Sequence, residues 1–184
     1  MDLSVCGLEK ESAIALAEAL KVNASLKSID LSYCNLGKEG AFALSKALEV
    51  NASLTELNIA QNNLGKDGAL ALAKALNVNA SITKLDLYDN KIGSEGAVAV
   101  AKSLEVNASI TKLKVNDCEL PIDVLKNGTE VDLSRQGLRV EDAIIIAGCM
   151  NVNASITKLK VNSCELPIDV LKNGTEVDLS NQYL

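Results

Sequence analysis

The chain has 184 residues, 48% of them hydrophobic but only 2% aromatic, and a formal net charge of −6. Its interior must therefore be built from Leu, Ile, Val and Ala, and the acidic balance gives no global pull toward nucleic acid or an anionic membrane. No apolar stretch approaches the ~20 residues of a membrane span, and with no His there is no Ser–His or Cys–His pair for nucleophilic catalysis.

Residues 25–52, 53–80 and 81–108 are three copies of one 28-residue pattern, each opening on L-x-x-L-x-L-x-x-N/C-x-L, with I or V in some L places. The N-terminus enters this rhythm in mid-repeat. Met1, Leu3, Cys6 and Leu8 take positions 4, 6, 9 and 11, and Ala13, Leu16, Ala17 and Leu20 follow at helical spacing. The first full set is Leu26, Ile29, Leu31, Cys34 and Leu36; the second is Leu54, Leu57, Ile59, Asn62 and Leu64; the third is Ile82, Leu85, Leu87, Asn90 and Ile92. Alternation at positions 4 and 6 buries one face of a short strand and turns positions 3, 5 and 7 outward. Gly37, Gly65 and Gly93 follow, and then Ala69, Leu72, Ala73 and Leu76, or Ala97, Val100, Ala101 and Leu104, fall on one helical face. Each unit is thus a strand and a helix folding back over it, with small Ala residues allowing close approach.

Beyond residue 108 the rhythm changes. Residues 106–136 recur as 152–182, with Asp117 replaced by Ser163 and Arg135 by Asn181. The unit divides into a short repeat (110–127) and a 28-residue repeat (128–155). The short one leaves no room for a helix, and Pro121 with its copy Pro167 points to a tight extended or single-turn return. The long one is expected to keep a strand at Val131 and Leu133 and a helix with Ala143, Ile146, Ala147 and Met150 inward. Eight strand slots result, a ladder of about 35 Å at the usual strand spacing. The whole chain, 1–184, reads as one domain: regular 28-residue repeats over 1–108, then alternating 18- and 28-residue repeats over 109–184.

The pattern LxxLDLxxNxxGxEGAxALAxALxxNxS, carried best by 1–108, resembles the ribonuclease-inhibitor-like type of leucine-rich repeat found in NOD-like receptor sensing domains and Ran GTPase-activating proteins. The resemblance implies an α/β fold, a right-handed horseshoe solenoid with a concave parallel sheet and convex helices, helix-free short repeats near the C-terminus, and protein binding on the concave face. A GTPase-activating role of the Ran type is the rival reading, since those proteins act without His. No catalytic motif carries over, however, and the acidic tail of that family is missing. A fragment or engineered array without a function of its own is the third reading, permitted by the near-identical copies.

Cys6, Cys34, Cys118 and Cys164 all occupy position 9, where a buried side chain fixes the turn leaving each strand; Cys149 reads as a small core residue. No Cys-x-x-Cys or Cys/His cluster suggests a metal, and no glycine-rich phosphate loop suggests a cofactor, so none is expected. A Cys6–Cys34 disulfide is conceivable between neighbouring slots, but the chain lacks a secretory signal, which points to a reducing intracellular, cytoplasmic setting. Of seven N-x-S/T sequons, five sit in one recurring V-N-A-S loop, where Asn can satisfy free helix carbonyls. On the outward face, position 5 reads Asp2, Asp30, Asn58, Asp86, Lys114, Asp132, Lys160 and Asp178, so the first half carries an acidic row and the second half neutralises itself. Asp30, Glu56, Asn58 and Asp86, with Tyr33 and Tyr88 as aromatic anchors, form the candidate surface for a protein partner. Around Leu166, Leu179, Tyr183 and Leu184 an apolar surface and an unpaired strand edge are expected, fitting an end-to-end homodimer.

Overall fold

The computed structural model describes residues 1–5, 10–161 and 164–166. Strands β1 (Ser28–Asp30), β2 (Glu56–Asn58), β3 (Lys84–Asp86) and β4 (Lys112–Lys114) pair in parallel, with Ile29, Leu57, Leu85 and Leu113 in line. The first residues extend this ladder through a parallel bridge from Asp2 to Asp30. Positions 4 and 6 point inward as the alternation requires: Ile29, Leu31, Leu57, Ile59, Leu85 and Leu87 are all buried. Removing these side chains from water is the main drive for stacking one repeat on the next, roughly 2 kcal/mol for each fully buried Leu or Ile.

Helices α1 (Lys10–Val22), α2 (Gly37–Leu48), α3 (Gly65–Leu76) and α4 (Gly93–Val106) form the second layer, each packed on the one before. The inward faces expected for α3 and α4 are buried in full. Spacing between helices is set by a glycine one turn in. A Cβ on Gly68 would lie 3.0 Å from Ala41 Cβ and 2.9 Å from Leu64 Cβ, and one on Gly96 would lie 2.9 Å from Ala69 Cβ. The glycines that begin these helices do different work: Gly37, Gly65 and Gly93 have φ of 58°, 65° and 62°, the left-handed conformation that turns the chain from loop into helix.

The C-terminal half departs from the expectation of a helix-free short repeat on a continuous eight-slot ladder. Strand β5 (Glu119–Pro121) folds back antiparallel on β4, and a six-residue helix, α5 (Ile122–Asn127), follows it. The return strand takes the place the next parallel strand would occupy. In the regular repeats, Thr55 O and Thr83 O accept from the Thr N–H of the following repeat; Thr111 O accepts instead from Ile122 N at 2.8 Å. Pro121 brings no N–H to the ladder, so the edge of β5 is blunted. The sheet ends there. A second sheet begins at β6 (Glu130–Leu133), which pairs in parallel with β7 (Lys158–Val161), itself paired antiparallel with β8 (Cys164–Leu166). The duplication is reproduced in space: Leu113 faces Leu120, and Leu159 faces Leu166. The helical layer bridges the break, because α6 (Val140–Val152) packs directly on α4.

Helix α6 also corrects the expected inward face. Ile146 is buried, but Ala143 and Ala147 are exposed and Met150 is half-buried, while Asp142, Ile145, Gly148 and Cys149 turn inward. Counting from the position-11 leucine, Asp142 stands where the regular repeats have Gly40, Gly68 and Gly96. A carboxylate cannot enter the slot those glycines leave, and the helix is rotated about its axis. Gly148 then becomes the close-approach residue, its would-be Cβ 2.7 Å from Ala101 Cβ. Among the described residues no helix is long and apolar enough to cross a membrane.

Candidate functional site

Two ladders of asparagine hold the repeat edges and so position the outward face. At position 9, Asn62 Oδ1 accepts from Cys34 N (3.0 Å) and Leu36 N (3.1 Å), while its Nδ2 donates to Leu31 O, Ile59 O and Ala60 O. Asn90 repeats the pattern, accepting from Asn62 N and donating to Ile59 O and Leu87 O. On the other edge, Asn51 Nδ2 donates to Leu20 O (2.7 Å) at the end of α1 and to Asn23 O (3.0 Å). Asn79 and Asn107 do the same one and two repeats on. These sequon asparagines, with Asn153, are buried and engaged, which is the architectural role the recurring loop suggested. Cys34, Cys118 and Cys149 are buried as well; burial pushes the Cys149 thiol up to about 12. Cys6, and with it a Cys6–Cys34 pairing, lies outside the described residues.

The outward strand face carries a shallow hollow of about 230 Å³ lined by Ser28, Asp30, Glu56, Asn58, Lys84 and Asp86. Position 5 has a structural duty there. Asp30 Oδ1 accepts from Ser32 N (2.8 Å), Asn58 Oδ1 from Ala60 N (3.0 Å) and Asp86 Oδ1 from Tyr88 N (2.8 Å), each closing the end of its own strand. Asn58 Nδ2 also donates to Asp30 Oδ2 at 2.8 Å. Of the position-5 oxygens that line the hollow, Asp86 Oδ2 is therefore the one without a donor among the described residues. Burial holds the Asp86 carboxyl above its ordinary pKa, with the Asp30 and Glu119 charges adding to the effect; the Tyr88 N–H and Lys114 oppose it.

Cations border the hollow: Lys84 of β3 lines it, and Lys112 and Lys114 stand on the next strand, β4. Lys84 and Lys112 share Glu119, at 3.5 and 2.9 Å, and the hydrogen bond from Lys112 pulls the Glu119 carboxyl below its ordinary value. Lys114 Nζ lies 4.8 Å from the centre of the Tyr88 ring. Beyond that ring is a second, polar cleft of about 430 Å³, lined by Tyr88, Lys91, Asn116, Arg139 and Glu141 among others. Arg139 donates to Asp117 at 2.8 Å, and the Asp117 charge raises the Tyr88 hydroxyl pKa. Beneath it, buried Asp142 Oδ2 accepts from Asn116 Nδ2 and Arg139 N, both at 2.9 Å.

The structure thus brings Asp30, Glu56, Asn58 and Asp86 together in one hollow. Tyr88 faces the neighbouring cleft instead, and Tyr33, 54% exposed with φ 57°, stands on the loop rim rather than in the hollow. The self-neutralised C-terminal rows are present in part, as in Lys160 Nζ 3.8 Å from Asp132. Leu166 belongs to β8, whereas Leu179, Tyr183 and Leu184 lie outside the described residues. Sequence reasoning missed Glu119, because β5 was not read as a strand, and missed Asp117 and Arg139. One signal was available: Asp117 is one of two places where the duplicated copies differ.

No curated protein sequence matches the chain. Residues 22–45, 50–73 and 78–101 match the family described as Leucine Rich repeat. Among solved structures, the fold is similar to "Leiomodin-1 Actin-Binding Site 2 (ABS2)", with a TM-score of 0.62 and 23% identity over 82% of this chain and 80% of that one. Repeat register, asparagine ladders and these matches together make this chain an α/β solenoid of leucine-rich repeats.

Proposed function

We propose that the chain is a non-catalytic module that binds a protein partner on the outward strand face, through Asp30, Glu56, Asn58 and Asp86. The carrying observation is the half-buried Asp86, whose Oδ2 is left without a donor inside a hollow that ordered neighbours hold open. A lysine, arginine or amide from a partner would supply that donor, and the buried setting makes such a pair stronger than one in open water. Actin is the first purified partner to assay, because the similar solved structure is titled an actin-binding site.

The test places a photo-crosslinking residue at position 58 and, as a control, at position 18 on α1. A protein adduct formed at 58, absent at 18 and abolished by Asp86→Lys, supports the reading. Equal adducts at both positions, or an adduct indifferent to Asp86→Lys, would overturn it. Stimulated GTP hydrolysis by a Ran-type GTPase in the presence of the chain would replace this reading with the catalytic one.

A further inference from the structure

The outer helical face carries a pattern the strand face does not use. Helices α2, α3 and α4, with the turns that follow α2 and α3, present one turn apart an apolar residue, a lysine and a valine: Phe42, Lys46 and Val50; Leu70, Lys74 and Val78; Val98, Lys102 and Val106. Repeat stacking turns these triplets into three columns running across the helices, a lysine column between two apolar ones. The outer valines are well exposed, Val50 at 62%, Val78 at 64% and Val106 at 68%. Solvent-facing apolar side chains in register over three repeats make a continuous stripe rather than scattered singles.

Between α3 and α4 this face deepens into a groove of about 480 Å³, with Leu70, Ala73, Ala99 and Val106 supplying apolar walls and Lys74 and Lys102 the charge. No carboxylate lines it. The reason is one residue: Glu49 just after α2 and Glu105 in α4 hold a repeat position that just after α3 is Asn77. Glu105 itself turns to the far side of α4, where Asn151 Nδ2 donates to it at 3.4 Å. Neither Lys74 nor Lys102 is in an ion pair among the described residues. On a chain of net charge −6 this is a local, uncompensated positive groove with apolar flanks.

From this charge pattern we propose that the groove between α3 and α4 docks an acidic, apolar segment of a partner protein, its carboxylates on Lys74 and Lys102 and its apolar side chains against Leu70, Ala99 and Val106. The site is separate from the strand-face hollow, so the two can be tested apart. The probes are three sets of labelled 12-residue peptides of one apolar pattern, with the intervening positions Glu, Gln or Lys, read by fluorescence anisotropy. The Glu set binds best. Lys74→Glu with Lys102→Glu weakens it by roughly tenfold and transfers preference to the Lys set, as expected when attractive pairs become repulsive. Lys74→Gln with Lys102→Gln removes the preference without reversing it. Equal binding of the three sets, no binding of any, or a Glu preference that survives the charge reversal would overturn the proposal. Far-UV circular dichroism of each variant confirms an intact fold.

Discussion

Lys126 offers the sharpest test of how the compound repeat is held together. In the regular array, the carbonyls that end each helix and begin each loop are closed by the Asn of the next repeat, as Asn107 Nδ2 closes Leu76 O and Asn79 O at 2.8 Å each. The end of α4 has no such Asn, because the short unit intervenes. Lys126 Nζ takes its place, donating to Leu104 O at 2.7 Å and Asn107 O at 2.6 Å. Lys126→Met keeps the apolar stem and deletes both donors. A hydrogen bond to a charged group contributes about 1.5–3 kcal/mol, and these are partly reachable by water, so the loss should be about 2–4 kcal/mol. Urea unfolding followed by far-UV circular dichroism measures it, with an unchanged slope showing that the unfolding transition stays comparable. Hydrogen exchange should quicken at the last turn of α4 and the loop after it, and far less at β1 and β2. A loss no larger than that of Lys102→Met on the open face would refute the reasoning, since Lys126 would then be one more solvated lysine.

Asn62→Ala removes three donated and two accepted hydrogen bonds in a fully buried place, and should lower stability by at least about 3 kcal/mol in urea unfolding. Gly68→Ala places a methyl group about 3 Å from two Cβ atoms that cannot swing aside; overpacking of about 1–3 kcal/mol exceeds the ~1 kcal/mol gain in helix propensity, so a net loss is expected by the same measurement. For Asp86, a raised folded pKa means the folded state holds its proton longer than the unfolded chain. Stability from that proton is full below the ordinary value of 3.8 and is lost as pH rises through the folded value. Asp86→Asn should therefore gain on the wild type as pH climbs from about 4 toward neutrality, and a flat difference between the two urea profiles would contradict the burial argument.

What could be read from the sequence was what repeats. Positions 4, 6 and 11 of the strands, the inward faces of α3 and α4, and the Asn or Cys at position 9 recur in register, so each copy checks the others. The V-N-A-S asparagines could be assigned to architecture for the same reason. Elements that occur in one sense only, or that are short, could not be read this way. Helix α5 has six residues, too few to show a 3.6-residue period, and β5, as short as β1 to β4, carries none of the L-x-x-L-x-L frame that marked them. The rotation of α6 turned on a single Asp in a glycine position, which a pattern match treats as a tolerated exception and packing does not. The acidic row looked like a binding feature, yet most of its oxygens serve the backbone; only hydrogen-bond geometry separates Asp86 Oδ2 from the rest.

That separation locates the asymmetry of the chain. A strict 28-residue solenoid would offer the same outward face at every repeat, with nothing to distinguish one hollow from the next. Here the hairpin that ends the first sheet delivers Glu119 to Lys84 and Lys112, and Asp117 to Arg139, placing a linked row of charges beside Asp86. The later copy keeps Glu165 at the equivalent of Glu119 but has Ser163 where Asp117 stands. A serine cannot hold an arginine by charge, nor raise a tyrosine hydroxyl as Asp117 raises Tyr88. Introducing Asp117→Ser should therefore release Arg139 and lower the Tyr88 pKa, which a spectrophotometric titration at high pH reads once Tyr33 and Tyr183 are replaced by Phe. If that titration is unchanged, the charge row is not coupled through Asp117.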